Sequence, residues 1–208
     1  MILIGQYDSP FVRRVGIALT LYGLPFDHQP WSAFGDADRL RSYNPLTRVP
    51  TLVLDSGEAL IESHMILDYI DSLVPVETRL FPVDEPARHQ ALRVAALATG
   101  LGDKIVSLFY ERRLHDKVSD LWVERCRKQI ETVIAVLEED RAARPGTWWF
   151  GDRLGHADIA VAVMMRFLED AHPGLIPLAS FPALAGHAAK MEALPVFQRI
   201  SQPFIAPA

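Results

Sequence analysis

The chain has 208 residues, of which 50% are hydrophobic and 23% charged, with a formal net charge of −5. That length holds one large domain or two modest ones, each with a core of its own, and the composition is that of an ordinary folded protein. The acidic balance excludes a broad nucleic-acid surface, because phosphate binding needs clustered excess Lys and Arg.

Ile2-Leu3-Ile4 reads as a short buried strand, and after Ser9-Pro10 the apolar positions Phe11, Val12, Val15, Ala18, Leu19 and Tyr22 recur at helical spacing. Gly23-Leu24-Pro25 ends that helix. Phe26 to Trp31 predicts a second strand, parallel to the first if the helix is a crossover. A weaker helix is expected from Asp36 to about Tyr43. Thr51 to Leu54, the polar turn Asp55-Ser56-Gly57 and Ala59-Leu60-Ile61 predict a hairpin. Ser63 is then expected to cap a helix that turns Ile66, Leu67, Ile70 and Leu73 inward. This order is that of a four-stranded, α/β thioredoxin-like domain over residues 1–76.

The stretch from Val74 to Pro86 holds three prolines and no clear period, and a linker is placed there at 77–86. Beyond it strand signals stop, and helical periods run over 85–113, 116–144, 155–171 and 181–193. In the second of these, Trp122, Cys126, Ile130, Val133 and Leu137 fall on one stripe. The remainder, 87–208, is expected to be an all-α helical bundle.

Cys126 is the only cysteine, so no intrachain disulfide can form, and cytoplasm is the expected compartment. The first residues lack the basic start and apolar length of a signal peptide, and no run approaches a membrane span. The seven histidines form neither HExxH nor a close pair, so no metal site is expected. Gly100-Leu101-Gly102 has no preceding strand, and no P-loop or Gly-x-Ser-x-Gly elbow is present. Cys126 reads as inert core, and Asp158, in Gly155-His156-Ala157-Asp158, as a folding residue at a helix start.

Ser9 before Pro10 is by itself an ordinary helix cap. Its setting gives it further meaning: a buried strand precedes it, and Val49-Pro50 stands before the third strand, where thioredoxin-like proteins place a cis proline. Ser9-Pro10-Phe11-Val12-Arg13, Asn44-Pro45-Leu46-Thr47-Arg48-Val49-Pro50 and Glu62-Ser63 together resemble the bacterial, Ser-type glutathione transferases. The resemblance continues through Phe150-Gly151-Asp152, Ala157-Asp158-Ile159-Ala160 and Phe181-Pro182-Ala183-Leu184, and so covers nearly the whole chain.

The resemblance implies that glutathione is a co-substrate, that no resident cofactor is needed, and that the protein is a homodimer with a detoxification role. Ser9 would donate a hydrogen bond to the glutathione sulfur, with Tyr7 as the rival activator. Val49 would pair its backbone with the cysteinyl unit, Glu62 and Ser63 would hold the γ-glutamyl end, and Arg48 would face the glycyl carboxylate. Asp103 corresponds to an acid that some relatives present to the glutathione ammonium across the dimer interface. Phe11, Phe109, Tyr110 and Arg113 would wall a second-substrate pocket between the domains, with Tyr110 the more structural of them.

A thiol with pKa ~8.5 is only about 3% thiolate at pH 7, so full ionisation raises the nucleophile's concentration by roughly 30-fold. Because serine cannot form a mixed disulfide, Ser9 disfavours thiol–disulfide exchange through the protein. The expected reaction is attack of the thiolate on a small hydrophobic electrophile. Glutathione-dependent peroxide reduction, isomerisation, and a non-catalytic glutathione-binding or regulatory role are the alternatives, although the Ser-Ser-Cys signature of the zeta-like isomerases is absent.

Overall fold

The computed structural model describes residues 1–206. They form two compact units, Met1–Leu80 with residues 194–206, and Phe81–Ala193.

The first unit is built on strands β1 (Ile2–Ile4), β2 (Asp27–Gln29), β3 (Thr51–Val53) and β4 (Ala59–Ile61), in spatial order β2-β1-β3-β4. β1 runs parallel to β2 and antiparallel to β3, and β3 pairs antiparallel with β4. Helix α1 (Pro10–Leu21) is the crossover that makes the parallel pair possible. It buries Val12, Val15 and Leu19, and together with Leu3, Leu52, Ile66 and Ile70 these form the unit's core. The short α2 (Ala37–Arg41) precedes β3, and α3 (Ser63–Ser72) follows β4. This is the expected thioredoxin-like order. Tyr22, closing α1, ties the unit's far end together: its hydroxyl donates to Asp71 Oδ1 and accepts from the Leu80 N–H at 2.7 Å.

The second unit contains α4 (Ala87–Leu114), α5 (Asp120–Ala142), α6 (His156–Ala171) and α7 (Pro182–Glu192), with no strand among its described residues. Apolar side chains at helical spacing make its core: Val94, Ala98, Leu101, Ile105 and Leu108 from α4, then Cys126, Ile130, Ile134 and Leu137 from α5. α6 is buried nearly all round, which is why its sequence is apolar on every face.

Three expectations are corrected. Ser63 is the first residue of α3, not its cap; Glu62 holds the cap position. Trp122 and Val133 lie off the buried stripe of α5, where Ile134 takes the inward place, because the stripe turns with the helix rather than running straight along every fourth residue. The last segment, expected to belong to the helical domain, packs with the first unit, through a short α8 (Pro195–Arg199) that the sequence reading did not resolve. Its cause is Arg13, buried in α1, which donates from Nε to the Ile200 carbonyl at 2.8 Å and from Nη2 to the Phe197 carbonyl at 2.9 Å.

Candidate functional site

One end of the sheet gathers the expected residues. Gln29, Ile4, Thr51 and Ile61 stand in one register row across the four strands. Gly5, Pro50 and Glu62 are therefore the next residues along, all at the same edge. Gly5 lets the segments there converge. Its φ is +131°, and a Cβ on it would lie 2.5 Å from Val12 Cγ2 and 2.8 Å from Val49 Cβ. The N-terminus of α1 and the Val49-Pro50 step are thus packed against one another over a bare backbone.

Ser9 caps α1 in extended geometry, with Pro10 in the first turn. Its Oγ accepts from the Val12 N–H at 3.5 Å. A hydroxyl has two acceptor lone pairs and one proton, so accepting from Val12 leaves the proton available for donation to another group. A sulfur placed there would also sit at a helix N-terminus, where negative charge is stabilised.

The Val49-Pro50 bond is cis, as the fold led one to expect. The loop ahead of it is organised by Asn44, whose buried side chain accepts from the Leu46 N–H at 3.0 Å and donates to the Arg48 carbonyl at 2.9 Å and Thr51 Oγ1 at 3.1 Å. Thr47 in that loop adopts a left-handed φ of 52°. Arg48 and Val49 are consequently presented on a constrained arch rather than a loose loop.

Glu62 has φ 67° and ψ 121°, backbone that a side-chain-bearing residue rarely adopts and that costs about 1–3 kcal/mol. Such strain gathers where a side chain or backbone group must be held in one direction. The Glu62 carboxylate is turned to Arg48, whose Nη1 lies 3.2 Å from Oε1, and makes no cap bond. Ser63, buried at the first position of α3, sits beside it.

Tyr7 is engaged otherwise. Its ring stacks on His28 with centroids 3.8 Å apart, and His28 Nε2 is 2.7 Å from the Gly5 carbonyl. Burial pushes the phenol's pKa above its usual value, against the opposing charge of Arg199. The phenol is therefore packed as a wall of the β1–α1 loop.

Phe11 is half-buried on α1. The other three residues expected around a second substrate belong to the helical unit. Phe109 and Arg113 line, with Arg112, His172 and Leu175, an open pocket of about 490 Å³. Phe109 meets the His172 ring edge-on at 6.0 Å, and Tyr110 packs edge-on to Phe109 at 6.2 Å without lining the pocket. Asp103 is exposed on α4.

Asp158 is buried and accepts from the Trp149 N–H at 2.8 Å and the Gly155 N–H at 2.9 Å. It forms the half of a capping box that a glycine permits, and fixes the loop before α6. Cys126 is fully buried, and that burial pushes its thiol pKa up, which disfavours the reactive thiolate.

Residues 3–79 match the glutathione S-transferase N-terminal domain, and 120–190 match the glutathione S-transferase C-terminal domain. The chain belongs to the glutathione transferase family. It is 32% identical over 139 residues to the GST-like protein YibF of Escherichia coli, covering 66% of this chain and 68% of that one. It is 28% identical over 215 residues to a maleylacetoacetate isomerase of Pseudomonas aeruginosa, covering 95% and 97%. A glutathione S-transferase of Methylobacterium radiotolerans, solved in complex with glutathione sulfonate, superposes with a TM-score of 0.90 at 31% identity, covering 100% of this chain and 98% of that one.

In this member of the glutathione transferase family the supports of the site were not evident from sequence. Arg13 stood in the Ser9 motif without a role, and Asn44 in the loop motif likewise. A polar residue at an apolar helical position was the available signal for Arg13. Arg14 is a second case: it is fully buried, and its three guanidinium nitrogens have no hydrogen-bond partner among the described residues. No helix among the described residues is long and apolar enough to cross a membrane.

Proposed function

We propose that the chain binds glutathione at this sheet edge and activates its thiol for attack on a small hydrophobic electrophile, with no resident cofactor. The observation that carries the reading is the state of Ser9: a helix cap whose oxygen is satisfied by Val12 and whose proton is available, beside the cis Val49-Pro50 arch. In this reading the Ser9 hydroxyl donates to the sulfur, and the N-terminus of α1 adds its field, so the thiolate is favoured while the serine stays intact. In the same reading Val49 pairs its backbone with the cysteinyl unit, Glu62 and Ser63 take the γ-glutamyl end, and Arg48 takes the glycyl carboxylate. Solved relatives of like fold that hold glutathione or its sulfonate support glutathione as the ligand.

Retention on immobilised glutathione and conjugation of chlorodinitrobenzene, compared for wild type and Ser9→Ala, test it. The expected result is retention of both proteins, with kcat/KM at pH 7 lower by about 10- to 30-fold in the variant. Equal activity of the two proteins would transfer the role to another group, Tyr7 first.

A second reading is favoured by one observation, the near full-length likeness to a maleylacetoacetate isomerase. There the thiolate adds to a double bond and leaves again after rotation, so the same Ser9 geometry serves. Turnover of maleylacetone with no conjugation of aryl halides or activated alkenes would select it.

A further inference from the structure

The loop joining β1 to α1 is five residues long, Gly5 to Ser9, and the C-terminal segment holds it from outside. The Tyr7 N–H donates to Gln202 Oε1 at 2.9 Å, and Asp8 Oδ2 accepts from the Ile205 N–H at 3.0 Å. Beyond Ser9, Arg13 grips the Ile200 and Phe197 carbonyls, with its guanidinium 5.5 Å from the centre of the Phe197 ring. Gly16 is the keyhole that lets the segment come so close: a Cβ there would meet Tyr7 Cε1 at 2.9 Å and Ile200 Cγ2 at 3.0 Å.

The Gly5 N–H donates to the Gln29 carbonyl, the Ser9 N–H to the Gln6 carbonyl, and the Ser9 carbonyl accepts from the Arg13 N–H at 2.9 Å. The first anchors the loop's start to the sheet and the last ties Ser9 to α1, while the turn between them, closed by the Gln6–Ser9 bond, is held by Gln202 at Tyr7 and by Ile205 at Asp8. Residues about 190 positions away in the chain therefore share with the first turn of α1 the setting of the loop that presents Ser9. A hydrogen bond to sulfur is directional, and displacement of a reacting or positioning group by about 1 Å can cost about 100-fold in rate.

We infer that the C-terminal segment is a positioning device for Ser9, with Gln202 its adjustable contact and Arg13 its anchor. The inference rests on the Ser9 reading and adds to it a control point outside the glutathione-binding residues. Gln202 accepts from a backbone N–H of the loop, so in this inference it acts through Ser9 and not upon the substrate.

The experiment compares full-length wild type, Gln202→Ala, Gln202→Glu, the double variant Asp8→Ala with Gln202→Ala, and Ser9→Ala. The pKa of bound glutathione is read from thiolate ultraviolet absorbance, together with kcat, KM for glutathione and thermal midpoint. Gln202→Ala is expected to raise the thiol pKa by about half a unit to one unit and lower kcat about tenfold or less, with KM within about twofold. The double variant should do more, and Gln202→Glu, which keeps an acceptor for the Tyr7 N–H, should restore wild-type values. A wild-type thiol pKa in the double variant, while Ser9→Ala has lost it, overturns the inference. So does failure of Gln202→Glu to rescue. A wild-type thiol pKa in Ser9→Ala as well would instead overturn the Ser9 reading beneath it. Should the double variant unfold, the same readouts on Gln202→Ala alone decide the matter.

Discussion

Arg48 Nη1 and Glu62 Oε1 are 3.2 Å apart, joining two side chains expected at opposite ends of one tripeptide. The pair is 58% and 54% exposed, a setting in which an ion pair contributes about 0–1 kcal/mol to stability. On the proposed reading its work is in binding. Glu62→Gln should raise KM for glutathione about tenfold, as loss of one charge-assisted hydrogen bond does, and leave the thermal midpoint within about 2 °C. A fall in midpoint with an unchanged KM would assign the pair to folding.

Gly5 is the position where the site and the fold meet most tightly. Gly5→Ala places a methyl 2.5 Å from Val12 Cγ2 and 2.8 Å from Val49 Cβ, at a φ that side chains rarely adopt. The expected cost is about 2–4 kcal/mol in urea unfolding, with glutathione affinity reduced as Val49 is displaced. Wild-type stability and affinity together would show that the arch is not packed on this glycine.

Arg14 makes the opposite prediction. Burial alone lowers its pKa to about 9, so it remains cationic at pH 7 with no partner for its guanidinium among the described residues. Arg14→Met keeps the length and removes the buried charge, and should leave stability unchanged or raise it by about 1–4 kcal/mol. A loss above about 2 kcal/mol in urea unfolding would mean that the guanidinium is held by contacts of greater worth.

Asp158 and His187 oppose one another in acid. His187 Nε2 lies 3.3 Å from the Asp158 carbonyl, and its ring stands edge-on to Trp149. Burial raises the Asp158 pKa to about 6, against the Gly155 and Trp149 N–H groups that favour its charged form. Its contribution to stability is full below the ordinary carboxylate pKa and is lost as pH rises through about 6. Burial lowers His187 to about 4, so its contribution is present above the ordinary histidine pKa and is lost as pH falls through about 4. The two windows overlap with opposite slopes. Asp158→Asn should cost about 1–3 kcal/mol at pH 7, because an amide accepts from only one of the two N–H groups. It should also lose stability more steeply between pH 6.5 and 4, since only the His187 loss remains. A variant flatter than wild type across that interval would contradict the pairing.

Much of this was legible in the sequence for definite reasons. The period of α1, the Asp55-Ser56-Gly57 turn and the long apolar stripes of the bundle are local signals, and the β1–β2 and β3–β4 pairs follow from the crossover helix and the hairpin. Ser9, Val49, Glu62 and Ser63 fell at one sheet edge because register carries them there. Contacts of long sequence separation were not legible. Arg13 looks like any helix arginine until Phe197 and Ile200 are brought beneath it, and Gln202 has no local signature at all. The cap of α3 was misplaced for a related reason: serine is the better cap by propensity, but tertiary demand sets Glu62 at the strained position and turns its carboxylate to Arg48. Trp122 was assigned to the α5 stripe from spacing alone, and the drift of the helix leaves it partly exposed at the open end.

On the proposed reading the Ser9 hydroxyl lowers the pKa of the glutathione thiol, and the thiolate absorbance of bound glutathione titrated against pH measures this directly. The wild-type protein should hold the thiol at least about one unit below its free value of ~8.5, and Ser9→Ala should return it most of the way while glutathione stays bound. Equal thiol pKa values in the two proteins, with glutathione bound to both, would contradict the account.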